Sequence, residues 1–214
     1  SERLASLRMA TFCGEPLLEQ HLQALFAARP DLMVHNTYGP TEATVSITLV
    51  RLTARDYRDK CGASVALGAP IPGMRILLEG GEEASEGEAV IAGPQVARGY
   101  WRNPELAATV FAERDVDGRS IPSYRTGDWV RRDGEDLYFV TRVDRQIKRH
   151  GFRLELGEID AACREAGAAA SCTVFVEESL VSFVEGVDEA EKHILLRKLA
   201  DKLPNHALPV EVRV

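Results

Sequence analysis

No uninterrupted apolar run of membrane length occurs in the 214 residues of this chain, which argues against a transmembrane role. A concentrated basic face is also missing. The formal net charge is −7, with acids and bases interspersed, whereas a nucleic-acid surface gathers Lys and Arg. The four cysteines, Cys13, Cys61, Cys163 and Cys172, stand far apart, with no Cys-x-x-Cys pair and no paired histidines at ligand spacing. A zinc site and a disulfide framework are therefore not expected, and a reducing, cytoplasmic setting fits best. The opening Ser-Glu-Arg-Leu-Ala-Ser lacks the basic-then-apolar layout of a secretory signal. It also lacks an initiator Met, as a processed or cut piece does. What is present, 45% hydrophobic and 28% charged residues, is the balance of a globular chain with room for one large domain or two small ones.

The stretch densest in chemistry is His35-Asn36-Thr37-Tyr38-Gly39-Pro40-Thr41-Glu42-Ala43-Thr44. Gly39 and Pro40 punctuate the backbone, because Gly permits positive φ and Pro restricts φ to about −65°. Leu32, Met33 and Val34 before it, and the alternating Val45, Ile47 and Leu49 after it, predict strands. The polar residues then fall on a tight loop at strand ends, where α/β proteins bind ligands. A hydroxyl beside a carboxylate, with an aromatic face nearby, suits a purine nucleotide and its Mg2+-bound phosphates. Asp128, after Thr126 and Gly127, is expected on a second turn, where its carboxylate can accept both hydroxyls of a ribose. Tyr38 offers adenine a flat face, and Asn36 can donate and accept at the base edge.

Around these residues the pattern predicts a strand over 4–12, a helix over 17–28 through Leu18, Leu22, Leu25 and Phe26, and Pro30 as its stop. From about Leu67 the chain turns to Gly, Pro and short alternating strands at 75–78, 88–92, 129–131 and 137–140. Hairpin turns are expected at 80–83 and 132–135. This middle section reads as a small β-barrel or meander. A helix over 158–167, capped by Gly167, a hairpin of 172–176 with 180–184, and a helix opened by an Asp188/Glu191 capping box complete the chain. Leu195, Leu196, Leu199 and Leu203 face inward on that last helix, and Pro204 ends it. Residues 140–151 mark a boundary between a larger module and a small α+β one.

Five motifs, in order, together resemble the amino-acid adenylation family of adenylate-forming enzymes, the type found in nonribosomal peptide synthetases. They are Phe12-Cys13-Gly14-Glu15-Pro16-Leu17, Asn36 through Glu42, Gly87-Glu88 through Ala97-Arg98-Gly99-Tyr100, Tyr124-Arg125-Thr126-Gly127-Asp128, and Arg142-Val143-Asp144 through Glu155. Thr141 departs from the pattern, standing where a Gly normally precedes the Arg. Within the family, the first two motifs and the Gln146-to-Gly151 loop look most like D-alanine–carrier-protein ligases.

The resemblance implies an α/β large-domain remnant with a β-barrel over residues 1–143, then an incomplete small α+β C-terminal domain over 144–214. It implies ATP and Mg2+, with Asn36, Tyr38, Gly39, Thr41, Asp128 and Arg142 around the nucleotide, Thr41 on the α-phosphate and Glu42 on the metal. It places Asp144 at a hinge, and Lys148 and Gly151 on a loop facing a thiol tunnel. Thr11, Cys13, Thr37, Val45 and Ser46 would line the acyl pocket. None of these is large or charged, which favours a small amino acid. The implied partners are that amino acid and a carrier protein with a phosphopantetheine arm, with no nucleic acid and no membrane. The family's upstream phosphate loop and ammonium-pairing aspartate, and the lysine beyond the C-terminal end that drives adenylation, are not in this sequence, so the 214 residues alone are expected to be inactive. Two alternatives remain open: an acyl- or aryl-CoA synthetase on the same scaffold, and a non-catalytic piece that binds a carrier protein or a helper subunit.

Overall fold

Parallel strands β1 (Met9–Phe12) and β2 (Met33–Asn36), joined by the crossover helix α1 (Glu19–Ala28), open the structure. It is a computed structural model that describes residues 6–80 and 84–214. β3 (Thr48–Leu52) returns antiparallel to β2, and β4 (Ala69–Pro70) lies on β3. α1 begins after Leu18, whose N–H donates to Nδ1 of His21 at 3.3 Å. It stops at Arg29 because Pro30 has no N–H to continue the ladder. Its buried stripe, Leu22 and Phe26, packs with Leu17, Leu32, Val34, Leu52, Tyr57 and Val65. Each such side chain contributes about 1.5–3 kcal/mol on burial. The strand expected from Val45 onward starts only at Thr48, since Thr44 and Val45 have φ of 60° and 71°. Left-handed residues cannot join a pleated ladder. The portion of the first expected strand over residues 4 and 5 lies outside the described residues.

The chain then builds an antiparallel sheet from β5 (Arg75–Leu78), β6 (Glu86–Ala92), β7 (Phe111–Val116), β8 (Arg119–Asp133) and β9 (Asp136–Arg142), with the short helix α2 (Pro104–Val110) before β7. The order is β5-β6-β8-β7, and β9 also pairs with β8. Among the described residues a closed barrel does not form. β8 is long enough to serve two partners in succession, β7 along residues 119–124 and β9 along 128–133, while β6 takes its other edge. The sheet therefore branches instead of curling shut, and among the described residues β5 pairs only with β6. Met74, Ile76, Ile91, Tyr124, Val130 and Leu137 form its core together with Tyr38 and Ile47 of the preceding loop. The turn expected at 132–135 joins β8 to β9, with Asp133 opposite Asp136. The one expected at 80–83 falls partly on 81–83, outside the described residues.

The chain divides into two compact units, Ser1–Val143 and Asp144–Val214. In the second, β10 (Gln146–Arg149) and β11 (Phe152–Glu155) form a hairpin. α3 (Leu156–Ala166) follows and ends at Gly167, whose φ of 125° suits glycine. β12 (Ala170–Val176), β13 (Ser179–Glu185) and β14 (Glu211–Arg213) make a three-stranded sheet, and α4 (Lys192–Lys202) packs beside α3. The Asp188/Glu191 capping box is present ahead of α4. Leu195 and Leu199 are buried, and Leu196 and Leu203 partly so. Arg145 anchors the start of this unit: Nη1 donates to the buried carboxylate of Asp160 at 2.7 Å and Nη2 to the Thr173 carbonyl at 2.6 Å.

Candidate functional site

Three polar groupings gather in the first unit, and each is built from residues far apart in sequence. The first centres on Asp128. The segment Tyr124 to Asp128 is not a turn but a bulged stretch of β8. Glu88 pairs with Trp129 and Val90 with Arg125, so Ala89 alone spans Thr126, Gly127 and Asp128. Gly127 makes the excursion possible with φ of 73°. Its N–H donates to Oε1 of Glu88 at 3.0 Å, and Oγ1 of Thr126 donates to the Ala89 carbonyl at 2.8 Å. Glu88 also accepts from Arg125, which raises the arginine's pKa further.

The bulge aims Asp128 inward. Tyr38 donates its hydroxyl to Oδ2 at 2.6 Å, and Nη1 of Arg142 donates to Oδ1 at 2.6 Å. Arg142 adds a bond from Nη2 to the Thr126 carbonyl at 3.0 Å. Burial first, and then the adjacent Asp128 charge, push the Tyr38 phenol well above its ordinary pKa, so it stays a donor. A carboxylate has about four acceptor positions, and these bonds take one on each oxygen. Asn36 is buried, at 4% exposed. Its Nδ2 donates to the Ala66 carbonyl at 2.9 Å, fastening the end of β2 to the chain beyond β3.

The second grouping is the turn after Pro40. Thr41, Glu42 and Ala43 form one 3-10 turn that leaves Thr41 exposed and Glu42 buried. Oε1 of Glu42 accepts the Tyr100 hydroxyl at 2.7 Å. Burial, then this hydrogen bond, raise the Tyr100 pKa far above the usual phenol range. The following residues, Thr44 and Val45, are both β-branched and both left-handed, a conformation that costs about 1–3 kcal/mol per residue. Val45 N–H to the Pro40 carbonyl at 3.0 Å and Thr44 Oγ1 to the Gln95 carbonyl at 3.0 Å hold the strained pair. Gly39 is required by close approach, since a Cβ there would lie 2.5 Å from the Val45 carbonyl oxygen.

The third grouping joins four of the five residues expected in the acyl pocket. Ser46 Oγ lies 3.1 Å from Thr37 Oγ1 and 3.8 Å from Cys13 Sγ, and the Cys13 thiol donates to the Val45 carbonyl at 3.7 Å. Cys13 and Val45 are exposed and Ser46 partly so. Thr11 sits nearby in sequence on β1, paired with His35 and exposed. Lys148 belongs to the second unit, exposed on β10 opposite Arg153. Asp144 is the first residue of that unit, and its Oδ1 accepts the Gln146 N–H at 3.0 Å. Two residues with large structural parts, Glu88 and Tyr100, carried no assigned role in the sequence. Both lie inside the quoted 87–100 motif, and that membership was the only available signal.

Comparison with known proteins agrees on a class. Residues 1–101 match the AMP-binding enzyme family. The chain is homologous to D-alanine–D-alanyl carrier protein ligases, with 39% identity over 170 residues to the one from Listeria monocytogenes, covering 76% of this chain and 32% of the ligase. It therefore spans about a third of the length of the curated relatives it matches. Among solved structures, the Vibrio cholerae adenylation domain AlmE, in complex with glycyl-adenosine-5'-phosphate, matches with a TM-score of 0.84 at 28% identity, over 99% of this chain and 42% of that one. Holo-PA1221, an NRPS protein containing adenylation and PCP domains bound to a vinylsulfonamide inhibitor, matches with a TM-score of 0.83 at 30% identity, over 99% and 38%. Among the described residues, no helix is long and apolar enough to cross a membrane.

Proposed function

We propose that this chain is the nucleotide- and acyl-binding part of an enzyme that activates a small amino acid as its aminoacyl-AMP and passes it to a carrier-protein phosphopantetheine thiol. The observation that carries the reading is the hydrogen-bonded Tyr38–Asp128–Arg142 trio, with Tyr38 and Asp128 buried, drawn from three separate motifs into one preorganised group. In this reading Asp128 accepts the ribose hydroxyls, Arg142 offsets its charge and fixes its rotamer, and Tyr38 and Gly39 line the adenosine side. Asn36 acts there by holding the strand end in place. The glycyl-adenylate bound by the AlmE domain and the carrier-protein ligase activity named for the Listeria homologue support the same chemistry.

The amino acid's carboxylate oxygen attacks the α-phosphorus of ATP, the bond to the β-phosphate bridge breaks, and pyrophosphate leaves. A thiol sulfur, giving up its proton to solvent, then attacks the acyl carbon to form the thioester, and AMP leaves with the bonding pair. Thr41, exposed at the head of its turn, donates to the α-phosphate. Glu42 supplies a hard oxygen ligand, which suits Mg2+. An ion of this kind arrives on nucleotide phosphates and takes only one or two protein carboxylates. Mg2+, when bound, neutralises phosphate charge; this chain's residues orient the groups it joins. Thr11, Cys13, Thr37, Val45 and Ser46 form the side-chain pocket, whose small, uncharged lining favours a residue of alanine size. Asp144 serves as pivot between the two steps, and Lys148 and Gly151 face the incoming thiol.

Calorimetry with the 214-residue chain and a non-hydrolysable alanyl-sulfamoyl-adenosine tests the reading. Binding that saturates, and that stabilises the fold by about 2.7 kcal/mol at a hundredfold excess over Kd, is the expected result. No binding of any adenosine ligand at millimolar concentration would overturn it.

A further inference from the structure

The segment between β6 and α2 makes three separate bonds to the turn that carries Thr41 and Glu42. The Ala97 N–H donates to the Glu42 carbonyl at 2.8 Å, the Gln95 carbonyl accepts from Thr44 Oγ1, and the Tyr100 hydroxyl reaches the Glu42 carboxylate. The first holds the backbone of the turn, and the second ties down the Thr44 side chain at its end. The third acts only on the side chain, 58 residues away in sequence. Tyr100 is itself immobilised by aromatic packing: its ring meets Phe111 edge-on at 5.2 Å, and Phe111 lies 5.0 Å from Tyr124. A ring held in this way points its hydroxyl in one direction.

We infer that Tyr100 is a positioning residue for Glu42: it holds the carboxylate in one rotamer, with one oxygen accepting the phenol, so that the group meets a nucleotide-bound divalent cation already oriented. The inference rests on the role proposed above for Glu42. A carboxylate on a short turn has rotatable bonds to lose when a cation binds, and a fixed donor removes part of that ordering cost beforehand. A phenol hydroxyl is an uncharged donor, so it orients the carboxylate without competing for its charge as a lysine or arginine would.

The test uses the full 214-residue chain, with Mg2+ titrated against ATP binding by calorimetry and backbone amide exchange followed over residues 41–46. Tyr100→Phe removes one oxygen and keeps the ring packing. It should raise the Mg2+ concentration for half-maximal ATP binding about tenfold, the scale of a hydrogen bond to a charged group, and leave Mg2+-independent AMP binding unchanged. Exchange over 41–46 should change little, because the Ala97 and Gln95 bonds remain. Replacing Tyr100 by 3-fluorotyrosine, a stronger donor of nearly the same shape, should shift the Mg2+ midpoint the other way and covers the case of a poorly folded Phe variant. If Glu42→Gln shifts the Mg2+ midpoint and neither Tyr100 variant does, the inference is wrong while the Glu42 role stands. If no variant, Glu42→Gln included, alters the Mg2+ dependence, both the inference and the metal role of Glu42 are overturned.

Discussion

Replacing Asp128 by Ala would remove the acceptor of one buried and one partly buried donor at once. The Asp128 side chain is 7% exposed and that of Arg142 13%, at 2.6 Å, with the Tyr38 hydroxyl on the other oxygen. Deleting one member of a buried ion pair costs about 3–5 kcal/mol, because the partner charge is left desolvated. The stranded phenol adds to this, though not by its full worth of about 1–3 kcal/mol, since both penalties arise from one cavity that water can enter. A loss of about 4 kcal/mol follows, a large fraction of the roughly 5–15 kcal/mol that holds an ordinary domain together. Asp128→Asn also removes the counter-charge of Arg142 but keeps the shape and an acceptor oxygen, so it should lose less, about 2–3 kcal/mol, and is the variant in which to read function. Urea unfolding, followed through the fluorescence of Trp129 next in the strand, measures both. In the folded Asn variant ATP should bind about 30-fold more weakly, the equivalent of about 2 kcal/mol. An Ala variant that lost under about 1 kcal/mol would behave as a solvent-screened surface bridge, and the argument for a preorganised buried trio would fail.

Three further outcomes are expected. Cys13→Ala should change the ratio of D- to L-alanyl-sulfamoyl-adenosine binding, since contacts worth one methyl group discriminate by about 1–3 kcal/mol; an unchanged ratio would leave Cys13 outside the pocket. Gly39→Ala drives a methyl against the Val45 carbonyl and should destabilise the chain by about 1–3 kcal/mol, read from the urea midpoint, with none of that cost if the loop lacks its close approach. In an alkaline titration followed by phenolate absorbance, Tyr38, Tyr100 and Tyr138 should ionise late, as burial raises each of their pKa values. The folded state then binds more protons than the unfolded one above about pH 10, so these phenols make stability fall as pH rises from there; five tyrosines ionising together without unfolding would contradict the burial.

Elements whose period and punctuation are local were readable from the sequence. Leu22 and Phe26 with Pro30 define α1, 75–78 is a strand as expected, and Gly167 closes α3 at the anticipated residue. The misreadings share one cause. Val45 continues an alternating pattern in sequence but sits in a left-handed turn, because Gly39, Pro40 and Gln95 hold the backbone there through contacts the pattern does not encode. Thr126-Gly127-Asp128 looks like a turn, yet Glu88 and Ala89 absorb its polar groups and keep it in β8. The expected barrel stays open because β8 runs 15 residues and shares its edge between β7 and β9. Short alternating segments carry no record of which strand their neighbour will be.

The motif from Asn36 to Glu42 shows why neighbouring polar residues need not act on neighbouring atoms. Asn36 bonds to Ala66, Thr37 to Phe12, Tyr38 to Asp128 and Glu42 to Tyr100. Four side chains within seven residues thus reach four different segments of the first unit, one being the strand end before α1, one the chain after β3, one the bulge of β8 and one the loop after β6. A junction of this kind explains the density of polar residue types, because these four side chains must find partners in buried or part-buried settings, where an unpaired group costs about 1–3 kcal/mol. It also explains why the chemistry was legible while the geometry was not. Residue type declares which groups demand a partner, but the partner is chosen by tertiary placement of segments 25 to 90 residues away. Substitutions within the motif should accordingly couple to these distant partners more strongly than to each other, since coupling follows contact and shared networks instead of sequence distance.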